Sequence, residues 1–221
     1  MEAVVFDMDG VIFDSEQLVL DSWETVAGKY EISDIKPVML RCVGTNRDKT
    51  KEIVLDAYGK DFPYEKFRAE ASAQYQRFMD QGKLTLKPGL HDLLDYLKDR
   101  RIPMAVASST RREMVKKELT YAGVIDSFQV IYGGDNVRNS KPHPEIYLET
   151  CKSLGVAPEE SYAIEDSIFG IEAAYRAGMT PLMVPDLLEP TPEAKKQAKG
   201  IFQDLREVRD YLIQVEKDWN E

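Results

Sequence analysis

The sequence has little cysteine, a deficit of positive charge and no long apolar run. Its two cysteines, Cys42 and Cys151, lie far apart and in no metal-ligand spacing, so no disulfide framework is indicated and both are expected to be inert, buried thiols. Lysine and arginine number 29 against 39 acidic residues, a net charge of −10. That balance argues against nucleic acid or an anionic membrane as the main partner, because both reward a basic face. No apolar stretch approaches the ~18 residues of a membrane-spanning helix. The opening MEAVVFDMD lacks the basic start and apolar length of a signal peptide, so a cytoplasmic location is the default expectation. Internal repeats and low-complexity segments are also missing. What remains is an ordinary globular balance, 43% hydrophobic and 31% charged over 221 residues. That suffices for one sizeable domain, or for a core carrying a smaller insertion.

Five short apolar runs read as buried strands: Ala3 to Phe6, Met104 to Ala107, Val130 to Tyr132, Tyr162 to Ile164 and Leu182 to Val184. Amphipathic stretches separate the later ones, at His91 to Asp99, Glu113 to Ala122, Glu145 to Leu154 and Phe169 to Ala177, the last stopped by Gly178. Such alternation predicts an α/β domain with a mainly parallel sheet. It is interrupted once, by a helical segment with stretches at Glu16 to Lys29, Asp48 to Tyr58 and Tyr64 to Asp80. The expected organisation is therefore a core formed by residues 1–14 and 85–221, with a small α-helical cap at 15–84. The charged residues of 195–199 and 204–218 read as solvated helix faces.

In an open parallel sheet the strand C-termini share one edge, so residues just past each strand converge on one crevice. Here those residues are Asp7, Asp9 and Gly10, then Ser108 and Ser109, then Lys141 before its helix, then Glu165 and Asp166. Each alone is an ordinary turn, helix cap or loop feature. Complementary chemistry at four successive strand ends is not ordinary. Crowded carboxylates call for a neutralising cation, and Mg²⁺, which takes carboxylates together with substrate phosphate oxygens, suits Asp7 and Asp166. Lys141, the Ser108 hydroxyl and backbone N–H groups of Met8 to Gly10 are placed to hold phosphoryl oxygens. Asp7 and Asp9, one residue apart, point the same way from an extended strand end. One can attack phosphorus while the other, protonated, serves the leaving oxygen. Gly10 permits the turn that brings Asp9 round.

Four segments carry a family resemblance: Phe6-Asp7-Met8-Asp9-Gly10-Val11; Val106-Ala107-Ser108-Ser109; Ser140-Lys141-Pro142-His143-Pro144; and Ile164-Glu165-Asp166-Ser167 with Gly170 and Ala173-Ala174. Together they resemble the four motifs of the haloacid dehalogenase-like (HAD) hydrolases, in the subgroup with a helical cap after the first motif, over essentially the whole chain. The resemblance implies a Rossmann-like core and a mobile cap. It implies Asp7 as nucleophile and Mg²⁺ ligand, and Asp9 as general acid/base that also offers its backbone carbonyl to the metal. Asp166 becomes the second carboxylate ligand, and Glu165 a ligand directly or through water. Ser108, with Ser109 beside it, and Lys141 become the phosphoryl-binding groups.

Dehalogenating members lack the second acid of the first motif, so Asp9 argues against that reaction. Lys49 and Lys51 do not sit in the local pattern of the phosphonate-cleaving members. β-Phosphoglucomutases share every core motif but carry a histidine on the first cap helix. Val19 stands about there, and the only histidines are His91 and His143. A Mg²⁺-dependent phosphatase of a small phosphorylated metabolite, such as a sugar phosphate, is therefore the expected function. The mutase and inorganic pyrophosphatase are the alternatives. Substrate choice is expected to lie in the cap loop Arg41-Cys42-Val43-Gly44-Thr45-Asn46-Arg47, where Gly44 permits close approach and Arg47 with Asn46 could contact a polar or second anionic group. Nothing in the sequence bears on oligomeric state.

Overall fold

This computed structural model describes residues 1–43, 45 and 47–220, with side chains through residue 217. Gly44 and Asn46, both singled out in the sequence, lie outside the described residues. The chain forms two compact units, Met1–Ile12 with Leu86–Glu221, and Phe13–Thr85.

The first unit is built on β1 (Ala3–Phe6), β2 (Met104–Ala107), β3 (Val130–Tyr132), β4 (Ser161–Glu165), β5 (Thr180–Met183) and β6 (Gly200–Ile201). All pair in parallel, in the order β3-β2-β1-β4-β5-β6. β1 and β2, reading AVVF and MAVA, are buried at every position. A continuous rather than alternating apolar run is what a parallel sheet covered on both faces selects. The expected α/β fold is therefore the observed one. β6 was not anticipated, since two residues, one of them glycine, make no readable run.

The unit's helices are α5 (Leu90–Asp99), α6 (Arg112–Tyr121), α7 (Glu145–Leu154), α8 (Ile168–Arg176), α9 (Pro192–Gln197) and α10 (Leu205–Asn220). Leu90, Leu93, Leu94 and Leu97 of α5 are all buried, the i, i+3, i+4, i+7 stripe of a helix lying on a core. α7 and α8 lay Ile146, Tyr147 and Cys151, and Ala173 and Ala174, against Val5, Ala105, Ala107 and Ala163 of the sheet. The alanines keep the helices close to the strands, so residues at the base of α7 lie near the strand ends. Burial pushes the thiols of fully buried Cys151 and half-buried Cys42 up to about 11, which leaves both protonated and unreactive at neutral pH.

The second unit consists of α1 (Ser15–Ala27), α2 (Lys36–Leu40), α3 (Arg47–Tyr58) and α4 (Tyr64–Asp80). Phe67 on α4 is its aromatic hub, edge-on to Trp23 at 5.4 Å and to Tyr30 at 5.3 Å. The five-residue α2 begins beside Pro37 and is too short to show a helical period in sequence.

Candidate active site

Three ladder bonds run past the ends of the strands. Asp7 N donates to Ile164 O at 2.9 Å, Ser108 N to Tyr132 O at 3.1 Å, and Val184 N to Glu165 O at 2.8 Å. Asp7, Ser108 and Glu165 are thus held by backbone pairing at one edge of the sheet, which fixes them more firmly than a free loop would. Beyond Asp7 the chain turns back, with Ile12 N donating to Met8 O at 2.9 Å. Gly10 takes φ +78° in this turn, in the left-handed region that glycine enters without penalty. A Cβ there would also lie 2.5 Å from Asp166 Oδ2, so the residue is doubly required.

The structure brings Asp7, Asp9, Ser108, Lys141, Glu165 and Asp166 together. Lys141, beside a cis peptide bond to Pro142, is 9% exposed. Its ammonium donates to Asp7 Oδ1 at 2.6 Å, Glu165 Oε1 at 2.6 Å and Ala107 O at 2.9 Å. Three donors meet three acceptors, which leaves the group no rotational choice. The two carboxylates outweigh burial and hold the Lys141 ammonium well above the ordinary lysine range. Burial pushes the Asp7 carboxyl up; Lys141 pulls it down, while Glu165 and Asp9 add to the upward push, and the net direction is upward. By count, the carboxylates of Asp7, Glu165 and Asp166 face one ammonium, so negative charge exceeds what one lysine neutralises.

Asp7, Glu165 and Asp166 each bring a carboxylate oxygen within 4.8 Å of the others, and all three are buried. This all-oxygen set with surplus negative charge fits a hard divalent cation. Glu165, expected from the sequence as a metal ligand, is nonetheless heavily engaged by protein. It is fully buried. Its Oε1 accepts from Lys141 and from the Tyr147 hydroxyl, and its Oε2 from Ser167 Oγ at 3.3 Å.

Asp9 is only partly buried. Thr110 Oγ1 donates to its Oδ2 at 2.9 Å, and Ser108 Oγ lies 3.5 Å from the same oxygen. The Ser108 oxygen also accepts from Thr110 N at 3.0 Å. Ser109 is exposed, while Ser108 is fully buried. Thr110, read in the sequence only as part of a helix-capping run, and Tyr147 were not expected at the site. The run Ser108-Ser109-Thr110 offered a signal for the first, but nothing marked the second. Arg47, in the Phe13–Thr85 unit, donates to Glu65 Oε2 at 2.8 Å, and Lys51 reaches Glu65 Oε1 at 3.0 Å. Both cations are thus half-exposed members of one surface ion-pair group.

The profile of haloacid dehalogenase-like hydrolases matches residues 4–184, which includes every strand-end residue above. The chain belongs to this family. Among its HAD relatives is a phosphorylated carbohydrates phosphatase of Thermotoga maritima, 34% identical over 81% of this chain and 82% of that one. A beta-phosphoglucomutase of Bacillus subtilis is 33% identical over 81% of each. A solved beta-phosphoglucomutase structure from Clostridium difficile superimposes with a TM-score of 0.81 at 25% identity, covering 100% of this chain and 98% of that one. The protein is accordingly an enzyme of the HAD hydrolase class, with an α/β core of the kind seen in that structure.

Proposed function

We propose that this HAD hydrolase is a Mg²⁺-dependent phosphatase of small phosphorylated carbohydrates, working through an aspartyl-phosphate on Asp7. The observation that carries the reading is the pairing of two carboxylates with different surroundings. Asp7 is buried with Lys141 on its Oδ1, while Asp9, one residue on, is more accessible and is held by Thr110. In the first step an Asp7 oxygen attacks phosphorus and the bond to the leaving oxygen breaks as Asp9 gives it a proton. In the second step water attacks the phosphorus, Asp9 takes the water proton, and phosphate departs with Asp7 regenerated. Ser108 holds a phosphoryl oxygen, with Ser109 contributing from the exposed side, and Lys141, whose three protons are all bonded to protein, would exchange one of those bonds to reach another. Asp7, Asp166, the Asp9 carbonyl and Glu165 would hold a divalent cation, which would supply neutralisation of the phosphoryl charge.

Arg47 is assigned the substrate's non-reacting end. Its bond to Glu65 would have to be exchanged for that contact. The relatives named for phosphorylated carbohydrates support a sugar-phosphate substrate, and those named as mutases support phosphosugar isomerisation as the second reading. Residues 15–84 contain no histidine, which favours the phosphatase.

A panel of sugar phosphates with Mg²⁺ tests this. Phosphate release that chelation stops and that Asp7→Asn reduces below detection is the expected result. Activity retained in Asp7→Asn refutes the nucleophile. Hexose phosphate isomerisation that needs a bisphosphate activator and frees no phosphate replaces the phosphatase with the mutase.

A further inference from the structure

Tyr147 is fully buried at the start of α7, two residues into the helix. Its hydroxyl donates to Glu165 Oε1 and its ring centroid lies 5.0 Å from Lys141 Nζ. A buried phenol needs a partner for its O–H, and the carboxylate supplies one. The carboxylate in turn carries the ammonium that sits on Asp7.

We propose that Tyr147 is a positioning residue whose hydroxyl fixes Glu165 Oε1 and thereby sets the Lys141 ammonium against Asp7. The reasoning is geometric. Oε1 is shared by two donors, one from α7 and one from the segment just before it, so both approach the carboxylate from one short stretch of chain. Ser167 constrains the other oxygen from the N-cap of α8. With both oxygens held, Glu165 cannot rotate about its last bond. Lys141, bonded to Glu165, Asp7 and Ala107 O at once, then has one stable orientation. Phenylalanine at 147 keeps the ring under the ammonium and the packing in the helix–sheet core, and removes only the donor. Glu165 is then free to pivot on its remaining bonds, and Lys141 follows it away from Asp7 for part of the time.

The catalytic consequence rests on Asp7 being the nucleophile, so the test has one arm that depends on turnover and one that does not. In the first arm, Tyr147→Phe lowers kcat about tenfold while KM stays within about twofold, the loss of one hydrogen bond to a charged group. Thermal unfolding stays close to wild type. In a Glu165→Gln background the same change costs almost nothing more, because the two act in series. In the second arm, the substrate-free, metal-free protein carries ¹⁵N-labelled lysine. A buried ammonium with all three protons bonded exchanges slowly and gives an Nζ–H signal, assigned by its loss in Lys141→Met. Tyr147→Phe is expected to broaden or abolish that signal.

Unchanged kcat, or additive costs in the double variant, overturns the proposal. So does an unaltered Lys141 signal in Tyr147→Phe, or the lack of any slow Lys141 signal in wild type. If wild type hydrolyses no sugar phosphate, the assigned reaction fails, and the ammonium signal still decides the role of Tyr147.

Discussion

Replacing Gly170 with alanine tests how firmly the Glu165 carboxylate is held. Gly170 lies in the first turn of α8, where its N–H is donated to Ser167 Oγ at 3.0 Å. Its φ is not in the left-handed region, so alanine is free of backbone strain and gains about 1 kcal/mol of helix propensity. The space tells the other way. A Cβ would stand 2.0 Å from Glu165 Cδ and Oε2 and 2.1 Å from Oε1, whereas ordinary contact begins at 3.4 Å. The carboxylate must therefore retreat by about 1.4 Å, the difference between 2.0 and 3.4. A flexible side chain would yield cheaply, but this one is fully buried and bonded to Lys141, Tyr147 and Ser167. A shift of that size takes the 2.6 Å Lys141 contact out of hydrogen-bond range. Two bonds to a charged group at about 1.5–3 kcal/mol each, partly offset by propensity and relaxation, give a net cost of roughly 2–4 kcal/mol. For a chain of this length that lowers Tm by about 4–16 °C, and the displaced ammonium lowers kcat by about tenfold or more. Circular dichroism melts and phosphate release on the same preparation measure both. A Gly170→Ala protein that melts at or above the wild-type temperature with full activity refutes the claim that Glu165 is pinned.

Lys141→Met leaves Asp7 and Glu165 buried without their cation. It is expected to destabilise by about 3–5 kcal/mol in denaturant titrations and to reduce phosphate release by more than about a hundredfold. Thr110→Val removes the 2.9 Å donor to Asp9 Oδ2 and keeps the side-chain shape. We expect kcat to fall about tenfold with Mg²⁺ affinity unchanged by calorimetry, a result that would separate the acid/base role proposed for Asp9 from that of the proposed metal ligands. Tyr96, bonded to Glu216 Oε2 at 2.9 Å between α5 and α10, is pushed up to about 12 by burial and by that carboxylate. Its neutral form is the one the fold favours, so its contribution is intact below the ordinary tyrosine value near 10 and is lost as pH rises from about 10 to 12. Melting curves through that range should fall less steeply for Tyr96→Phe than for wild type.

The sequence revealed the elements whose residues follow a strict local rule. The strands β1 and β2 are continuous apolar runs, α5 carries its four leucines at helical spacing, and α4 and α7 run over the ranges that their periodicity predicts. The strand-end carboxylates and Lys141 were legible because a parallel sheet converts sequence positions after each strand into one shared edge. What depended on register between elements was not legible. Tyr147 is one apolar-stripe residue of α7 until α8 and β4 bring Glu165 to its hydroxyl, and Arg47 is a helix-start arginine until α4 places Glu65 beside it. Thr110 needed the turn after β1 to bring Asp9 to it across 101 positions.

Glu165 illustrates how one residue can hold two sequence meanings that only geometry ranks. An acidic residue at a strand end beside Asp166 reads first as a cation ligand, and its oxygens do lie within reach of those of Asp7 and Asp166. Yet a carboxylate sunk fully into the protein must satisfy its lone pairs before it can serve a dissociable partner. Here lysine, tyrosine and serine meet that requirement. Its standing task is thus to anchor Lys141, and any bond to a cation is shared with that task. The same arrangement explains how a chain of net charge −10 can address phosphate esters. The acidic surplus is distributed over the whole chain, whereas at the strand ends a buried ammonium stands against Asp7, the proposed nucleophile, within a carboxylate set suited to a divalent ion. The field felt by a phosphoryl group is set by those few buried charges, because solvent and salt screen exposed ones beyond about 10 Å.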